Sequence, residues 1–474
     1  MSLENRFVKS FVPGLDEVIP GFPRGGLVVV SGLPGSGKTS LGMSFIYNGA
    51  MIAGEPGLYV STYENRERFL ENAGSFGMDF RQLEERGLFE FISLPILKEA
   101  GIAESFNIVI ERVESLGAKR LVIDSFTALR KGFRSPHEAR ILLQNVLHRV
   151  LERLKCTTML IKERASISED IGFEDYVADA VIHLEATLLE NRRIRIMSFE
   201  KLRGGEIRHP KLCFTLHKGF RALSPTRTLK LREQVNFSPP PDPPDGYTTG
   251  IPDLDHEIGG YPKGATVLME IDPKLTPSHY HLILLPAAAS FIHKGRLVIG
   301  IPSGGVTVEA LMKAGKLYGV SEEKFLKQTA FFIESTAPME ELPNVIRVSS
   351  RDHDKALLDV MNHVIELSRK FREPPFIGIG VDRLIRLYGV NAAVNFLAMA
   401  QDHVKHSGGL MVLLAKPVEL GIIERLAPIA DIHLKITRKY GCVILHGIKP
   451  GTPLYAIQTD PESTAPLPEI IPIV

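Results

Sequence analysis

Residues 27–40 of this 474-residue chain read LVVVSGLPGSGKTS. Leu27–Ser31 is apolar enough for a buried strand, and the run TSLGMSFIYNGA that follows is typical of a helix. Between them, the pattern G-x-x-x-x-G-K-[ST] stands in the strand-to-helix setting that a phosphate-binding loop requires. Its glycines allow a tight turn whose N–H groups, together with the helix N-terminus, point at phosphate oxygens. The residues predicted to contact a triphosphate are Gly32, Pro34, Gly35, Ser36, Gly37, Lys38, Thr39 and Ser40.

Three side chains are predicted to serve the nucleotide and its metal. Lys38 is expected to reach the β- and γ-phosphates, and the Thr39 hydroxyl is expected to bind Mg²⁺. The apolar segment Arg120–Asp124 predicts a strand that ends in a carboxylate near the metal. Taken alone, a strand ending in an aspartate that caps the next helix is an equally ordinary interpretation. The predicted cofactors are ATP and Mg²⁺, with Thr39 and Asp124 as the metal ligands.

Two further places carry candidate catalytic residues. Glu64 follows an apolar strand-like run and could orient or deprotonate an attacking water, or it is a solvated glutamate in the charged run 64–68. Lys201 and Arg203 stand two residues apart near the end of another strand-like run, so their side chains face the same side. They could meet an anion in a neighbouring subunit, although spacing alone favours an exposed basic strand end.

The chain contains a long internal repeat. VPGLDEVIPGFPRGG, from Val12, returns as IPDLDHEIGGYPKGA, from Ile251, at an offset of 251 − 12 = 239 residues. A period this long indicates a duplicated domain and not a solenoid. The copies are separated by SPPPDPPDG, whose stacked prolines favour an extended spacer. The predicted boundaries are 1–235 for the first domain, 236–246 for the linker, 247–455 for the second domain and 456–474 for a proline-rich tail.

Within the copies, apolar strand-like runs alternate with amphipathic helical stretches such as Glu104–Leu116 and Pro136–Leu154. This alternation is typical of a mostly parallel sheet covered by helices on both faces, so the predicted fold class is α/β with two tandem domains. In the first copy the strands are predicted at Leu27–Ser31, Gly57–Thr62, Leu88–Ser93, Arg120–Asp124, Thr158–Glu163, Val181–Glu185 and Ile194–Glu200.

Composition narrows the class of protein. Hydrophobic residues make up 44% and charged residues 23% of the chain, as in globular proteins. The formal net charge of +1 provides no strong field for sequence-blind binding, so nucleic acid is not an expected partner. The three separated cysteines form neither a disulfide framework nor a zinc-site spacing. Because no apolar run reaches the roughly 18 residues of a membrane helix, we expect a cytoplasmic protein without a membrane partner.

Together the motifs resemble the KaiC-like branch of the RecA superfamily of P-loop ATPases. The resemblance covers nearly all of residues 8–223 and returns more faintly over about 247–450. It is carried by PGLDEVIPGFPRGG, GLPGSGKTS, GEPGLYVSTYEN, SFGMDFRQLEERG, KRLVIDSFTAL, the ER of IKER, YVADAVIHL and KLRGG.

This resemblance implies tandem RecA-like domains that assemble as a ring, usually a hexamer, and bind ATP at subunit interfaces. Glu64 matches the first of two adjacent glutamates that activate water, whereas Asn65 stands at the second. Lys201 and Arg203 match the cations that reach the γ-phosphate of the neighbouring subunit.

The second copy has lost the phosphate loop. The offset places Pro277 on Lys38, and proline removes both an N–H donor and the lysine charge. Asp382 is the candidate for the metal-side aspartate of this copy, with its register open by a residue. The other replacements predicted by the offset and the resemblance are Ile271 for Gly32, Thr276 for Gly37, Ser278 for Thr39, Ile448 and Pro450 for the two cations, and Ala427 and Pro428 for the Ser-Thr pair that clock members of the family phosphorylate.

The first copy has Asp175 and Tyr176 at that pair, so clock-type autophosphorylation is not expected. His279 and His281 come without a third metal ligand at a convincing spacing and are interpreted as surface or packing residues.

The leading hypothesis is a KaiC-like ATPase that hydrolyses ATP slowly and acts as a regulatory or signalling switch. Its second domain would then be a non-catalytic copy with a structural role or with an unidentified protein partner. One alternative is an ATP-binding scaffold with negligible turnover, which Asn65 favours. Another is a RecA-like, DNA-associated ATPase.

Overall fold

The computed structural model describes most of the chain as two compact units. The first unit comprises residues 1–225 with 472–474, and the second comprises residues 226–471. The described residues are 6–94, 102–130, 133, 135–141, 143, 149–164, 172–227, 237–334, 342–348, 353–371, 373–417, 419–460 and 467–474.

The first unit is built on a mostly parallel sheet. Its strands are β1 (Phe7–Val8), β2 (Phe22–Pro23), β3 (Leu27–Gly32), β4 (Gly57–Ser61), β5 (Phe89–Ser93), β6 (Arg120–Asp124), β7 (Thr157–Glu163), β8 (Ala180–Leu189), β9 (Arg192–Leu202), β10 (Lys211–Thr215) and β11 (Arg221–Leu223). Among the described residues, nine of them form one sheet in the order β11-β10-β9-β8-β3-β7-β6-β4-β5, with β1 and β2 paired separately. The six strands from β8 to β5 in that order are parallel, and β9, β10 and β11 continue the sheet antiparallel.

Helices of the first unit connect these strands. They are α1 (Lys38–Ala53), α2 (Arg66–Ser75), α3 (Phe80–Glu85), α4 (Ile102–Leu116), α5 (Phe126–Arg130), α6 (Pro136–Ile141), α7 (Arg149–Leu154) and α8 (Phe173–Val177). The predicted α/β class is confirmed, and each strand predicted in this copy is present within a few residues of its expected bounds. The reason is that the central strands are buried on both faces, so each reads as a continuous apolar run. Part of the helix predicted over Pro136–Leu154 lies outside the described residues.

The second unit repeats this architecture. Its strands are β12 (Gly246–Tyr247), β13 (Tyr261–Pro262), β14 (Thr266–Ile271), β15 (Val298–Ile301), β16 (Thr329–Glu334), β17 (Val345–Val348), β18 (Phe376–Gly380), β19 (Leu410–Ala415), β20 (Ile432–Lys439), β21 (Cys442–Lys449), β22 (Tyr455–Gln458) and β23 (Glu469–Pro472). Ten of these described strands form a sheet in the order β17-β16-β15-β18-β19-β14-β20-β21-β22-β23. Two of them, β22 and β23, use residues of the segment predicted as a tail, so that segment contributes to the sheet.

Helices of the second unit occupy corresponding places. They are α9 (Pro252–Ile258), α10 (Pro277–His293), α11 (Val308–Gly315), α12 (Glu322–Gln328), α13 (His353–Lys370), α14 (Val381–Ser407, kinked at Gly389) and α15 (Ile422–Leu426), with 3₁₀ turns at Lys316–Tyr318 and Ala427–Ile429.

Rows of paired residues across the two sheets establish which positions are equivalent. The rows start from Val28 and Val267, which are related by the repeat offset, 267 − 28 = 239. In the first sheet the row runs through Val28, Met159, Val122, Tyr59 and Phe91. In the second it runs through Val267, Val412, Gly378, Gly300 and Phe331. Hydrogen-bonded pairing therefore aligns the copies where their sequences have diverged.

A buried arginine ties the N-terminal segment of the first unit to its helix layer. The Arg120 side chain is fully buried and forms a 2.7 Å ion pair with Glu55. Its guanidinium donates to the carbonyl oxygens of Lys9 and Phe45, each at 2.8 Å, and lies over the Phe45 ring. A Cβ at Gly49 would lie 2.0 Å from the Arg120 Nε, so α1 needs glycine there.

Candidate functional site

The loop between β3 and α1 has the shape of a phosphate cradle. A Cβ on Gly32 would lie 2.3 Å from the Leu184 carbonyl oxygen, so no side chain fits there. Gly35 and Gly37 have φ angles of 75° and 100°, in the left-handed region that glycine adopts without strain. The helix starts at Lys38 without a side-chain cap, which leaves its first N–H groups available to an anion.

Lys38 lies in this cradle, where its ammonium donates to the carbonyl oxygens of Gly32 at 3.0 Å and Leu33 at 2.9 Å. Burial lowers the pKa of Lys38, while the charges of Glu163 and Asp124 oppose this shift. The two carboxylates keep an ammonium favourable at a mostly buried position. Glu163 pairs with Gly32 across the β3–β7 ladder, which puts its strand position level with the start of the loop.

Thr39, in the first turn of α1, lies beside Asp124, the last residue of β6. The Thr39 hydroxyl donates to Asp124 Oδ2 at 2.7 Å, and the buried Tyr59 hydroxyl donates to the same oxygen at 2.7 Å. Burial raises the pKa of Tyr59, and the Asp124 charge adds to this effect. A hydroxyl and a carboxylate are the hard oxygen ligands that Mg²⁺ prefers, so Thr39 and Asp124 fit the predicted ion. Sequence reasoning missed Tyr59, because its ring looks like part of an ordinary apolar strand.

Glu64 lies just beyond the end of β4. Its N–H donates to the Ser61 hydroxyl at 2.9 Å, and Asn72 donates to its carboxylate at 3.1 Å. Burial raises the pKa of Glu64, and the Asp124 carboxylate raises it further. Asn65 caps α2 by accepting from the Arg68 N–H at 2.9 Å. Its side chain is therefore engaged in the structure that positions Glu64.

The remaining loop residues differ in exposure. Pro34 is exposed and Gly35 accepts a 2.9 Å hydrogen bond from Arg195 at its carbonyl. Ser36 and Ser40 are buried, at 1% and 8% exposure.

Lys201 and Arg203 do not join the cradle of their own chain. Lys201 pairs with Val181, which lies beside the first half of β3, whereas the loop follows the last residue of β3. The Lys201 ammonium donates to the Tyr176 carbonyl oxygen at 2.9 Å, near the end of α8. Arg203 forms a 3.2 Å ion pair with Asp179, and its side chain is 54% exposed.

The second unit keeps the fold of this edge with different side chains. The row through Val30, Ile161 and Asp124 corresponds to the row through Met269, Leu414 and Gly380. Glycine therefore occupies the place of Asp124, and the candidate Asp382 lies two residues beyond it. Asp382 instead accepts from the Ser303 hydroxyl at 2.6 Å and from the Gly304 N–H at 3.0 Å.

The predicted replacements for both cations in the second unit are wrong by one residue, since the shift that affects the place of Lys201 also moves the place of Arg203 from Pro450 to Gly451. In the first sheet Val29 pairs with Val181, and Val181 pairs with Lys201. In the second sheet Leu268, the equivalent of Val29 by the repeat offset, pairs with His433, and His433 pairs with Lys449. Lys449, and not Ile448, therefore stands at the place of Lys201. It donates to the Ala430 carbonyl oxygen at 2.7 Å, so the lysine-to-carbonyl contact survives in a unit without a phosphate loop. The sequence alignment slipped by one residue here.

Comparison with known proteins identifies the family. A family model described as "ATPase: KaiC" matches residues 8–220. A UPF0273 protein of Pyrococcus horikoshii is 32% identical over 219 residues, which cover 42% of this chain and 86% of the relative. The chain belongs to the KaiC-like ATPase family. The predicted resemblance is confirmed, and the family assignment supports an ATP-binding function of the KaiC-like domain.

Other KaiC and KaiC-like proteins are also similar to this chain. The circadian clock protein KaiC2 of Synechocystis is 28% identical over 269 residues, 54% of this chain and 46% of that protein. The crystal structure of a KaiC-like protein of Pyrococcus horikoshii is 30% identical, with a TM-score of 0.41, and covers 46% of this chain and 98% of its own. The chain spans about half the length of the curated clock relatives it matches. In the part of the chain that the structure describes, no helix is both long and apolar enough to cross a bilayer.

Proposed function

We propose that the first unit hydrolyses ATP with Mg²⁺ and that the second unit is a non-catalytic copy. The proposal rests on the convergence of Lys38, Thr39, Asp124 and Glu64 at one edge of a parallel sheet. Open α/β sheets bind ligands at the carboxyl ends of their strands, and these four side chains have the chemistry of phosphoryl transfer.

Each residue of this edge has a separate role. Lys38 exchanges its two loop carbonyl partners for phosphate oxygens, and Thr39 and Asp124 hold Mg²⁺. When bound, Mg²⁺ would supply positive charge that stabilises the negative charge of phosphoryl transfer. Glu64 orients the attacking water and accepts its proton, a task that a carboxylate of raised pKa performs better than a fully solvated one.

A matched pair of glutamates tests hydrolysis. Glu64→Gln keeps the shape of the side chain and removes its basicity, whereas Glu67→Gln changes a glutamate of the same loop–helix segment whose side chain is 70% exposed. We expect Glu64→Gln to lower kcat by about 10²- to 10⁴-fold, the usual contribution of a positioned base, and Glu67→Gln to leave kcat unchanged. Lys38→Ala should abolish ATP binding. Equal turnover in the two glutamine variants would contradict the role of Glu64.

The scaffold hypothesis remains the second candidate, because Asn65 supplies no second carboxylate and is engaged in capping α2. Under this hypothesis ATP binds and stabilises the chain. Turnover is then negligible, and it is the same in the native protein and in Glu64→Gln. The same experiment therefore separates the two functions.

We further propose that Arg203 acts on the nucleotide of a neighbouring subunit in a ring. In support, Arg203 is half-exposed and lies away from the loop of its own chain. Lys201 is the weaker candidate, since its counterpart Lys449 makes the same kind of contact where no phosphate loop exists. Arg203→Ala should slow turnover and leave ATP affinity intact.

Mixing two variants of reduced turnover tests action between subunits. In a ring that contains both Arg203→Ala and Glu64→Gln chains, some interfaces combine an intact Glu64 with an intact Arg203. Turnover should therefore recover on mixing if Arg203 acts across the interface. Absence of recovery, when native mass spectrometry shows mixed oligomers, would contradict the proposal.

We also propose that ATP binding and hydrolysis by the first unit act as a regulatory switch. ATP at an interface would couple nucleotide state to assembly, and the second unit would present a surface for a protein partner. Native mass spectrometry with and without ATP–Mg²⁺ tests this directly. We expect one nucleotide per chain and a larger assembly with ATP; two nucleotides per chain would contradict a non-catalytic second unit.

A further inference from the structure

The second unit contains an apolar cavity in its helix–sheet layer. A space of about 80 Å³ lies against β15, β16, α10 and α11, and Gly300, Leu311, Phe325, Thr329 and Phe331 contribute to its wall. A second space of about 250 Å³ shares the lining residues His281, Leu285 and Val306 with it. This second space extends to Pro277 and Ser278, the residues at the place of the lost phosphate loop.

The cavity exists because aromatic rings have been lost from this layer. In the first unit a cluster of rings fills the same place, with the Tyr59 and Phe69 centroids 4.6 Å apart and the Phe69 and Phe91 centroids 4.9 Å apart. The row across each sheet makes Gly300 the counterpart of Tyr59 and Phe331 the counterpart of Phe91.

Two more rings are replaced by smaller side chains. Phe69 is the fourth residue after the helix cap Asn65, and Leu311 is the fourth after the cap Thr307. Phe89 precedes Phe91 by two residues on its strand, and Thr329 precedes Phe331 in the same way. The positions that lost rings therefore line the cavity. The Phe331 ring packs over Gly300, where an added Cβ would lie 2.5 Å from its Cδ1 atom, so the volume of the missing rings is partly filled and the remainder is the cavity.

His281 and Ser303 bring polar groups to the wall of the cavity. The imidazole of His281 makes no hydrogen bond to any residue that the structure describes, and its ring nitrogens are available to a ligand. Burial, with a contribution from Lys416, lowers the pKa of His281 to about 4, so the ring is neutral at physiological pH. Ser303, also in the wall, donates to Asp382, and Lys416 lies 3.7 Å from the same carboxylate. The opposite charges leave no net charge for an ionic ligand to neutralise.

The hydroxyl of Thr329, another wall residue, is not available to a ligand. The Thr329 hydroxyl donates to the Phe325 carbonyl oxygen at 2.8 Å and accepts from Asn344 at 2.7 Å, so both of its hydrogen-bonding functions are used inside the protein. The apolar part of this wall gives water few hydrogen-bond partners and suits the apolar part of a small ligand, which has room to extend into the adjoining space of about 250 Å³.

We propose that the second unit binds a small uncharged ligand, a ring or short chain with one hydroxyl-like group, whose apolar part fills this cavity and whose polar group bonds to His281. The copy has thus exchanged a polyanion site for an apolar one at the same edge of the sheet. This proposal is independent of ATP hydrolysis by the first unit.

A series of one-ring probes tests the ligand class on the full-length chain. We expect toluene and benzyl alcohol to bind at one site per chain in calorimetry or ligand-observed NMR. Benzyl alcohol should bind about 2- to 10-fold more tightly, the value of one neutral hydrogen bond. Benzoate and benzylamine should bind more weakly than either, because their charge would be buried without a partner. A preference for benzoate, or absence of saturable toluene binding, would overturn the proposal.

Variants localise the site. Leu311→Phe returns a ring to the position of Phe69 and should abolish binding of both neutral probes, and Ala288→Val should weaken it from another wall of the cavity. His281→Leu should keep toluene binding and remove the advantage of benzyl alcohol. Leu358→Phe is the control, since Leu358 is 51% exposed and lines neither space. A native circular dichroism spectrum and a cooperative thermal transition of each variant verify that the second unit is folded. Probe binding that survives both filling variants would contradict the assignment.

Discussion

Removal of the Tyr59 hydroxyl is the sharpest test of how the metal side of the site is built. Tyr59→Phe keeps the ring in its aromatic cluster and deletes only the group that donates to Asp124 Oδ2 at 2.7 Å. Thr39 remains as a donor to the same oxygen, so the carboxylate stays in place with one restraint fewer. Tyr59 is thus a positioning residue that acts through Asp124.

The magnitude follows from the charge on the acceptor. A hydrogen bond to a charged group contributes about 1.5–3 kcal/mol, which corresponds to about 10- to 100-fold in an equilibrium constant. Outer partners of metal ligands show losses of the same size. We therefore expect the Mg²⁺ concentration for half-maximal turnover to rise about 10- to 100-fold. The rate at saturating Mg²⁺ should largely recover, because Tyr59 does not touch the substrate in this mechanism.

The assay is steady-state phosphate release at saturating ATP over a range of Mg²⁺ concentrations. Tyr47→Phe is the matched control, since Tyr47 lies on α1 and packs against Phe80 with ring centroids 5.3 Å apart. Its Mg²⁺ dependence should equal that of the native protein. If both variants gave the native curve, the bond from Tyr59 to Asp124 would have no part in metal binding and the reasoning would be refuted.

Three further outcomes are expected. Because the pKa of Glu64 is raised, acid should reduce turnover at a higher pH than it would if the base were an exposed glutamate. Ionising a carboxyl of raised pKa costs stability at neutral pH, so Glu64→Gln should melt at or above the native Tm. Arg120→Met should destabilise the first unit by about 3–5 kcal/mol in denaturant titration, whereas Arg112→Met, which breaks an exposed pair, should change stability by less than about 1 kcal/mol. Burial raises the pKa of Cys156 and of Cys442 to about 12, so neither thiol should react with a thiol reagent at pH 8 until the protein unfolds; rapid labelling of the native protein would contradict their burial.

Local sequence determined the phosphate loop, the strands around it and the duplication. Glycines and a lysine in fixed order suffice for a cradle, because the loop closes within a few residues and Lys38 bonds to carbonyls of its own loop. The strands could be predicted because burial on both faces leaves a continuous apolar run in the sequence. The loss of the phosphate loop in the second copy could likewise be predicted from the sequence, because Pro277 replaces the lysine within the same short motif.

Only the tertiary structure determined which side chains contact one another across the sheet. Tyr59 and Asp124 are 65 residues apart, and their contact depends on strand order and register, which no local pattern encodes. In the second copy, ladder pairing places Gly380, two residues before the candidate Asp382, at the position of Asp124, and it replaces the predicted Ile448 by Lys449. A shift of one residue on a strand turns a side chain to the other face, so register decides such assignments. The cavity at Gly300 has the same origin: it comes from rings missing on several separate elements, and only packing brings those absences together.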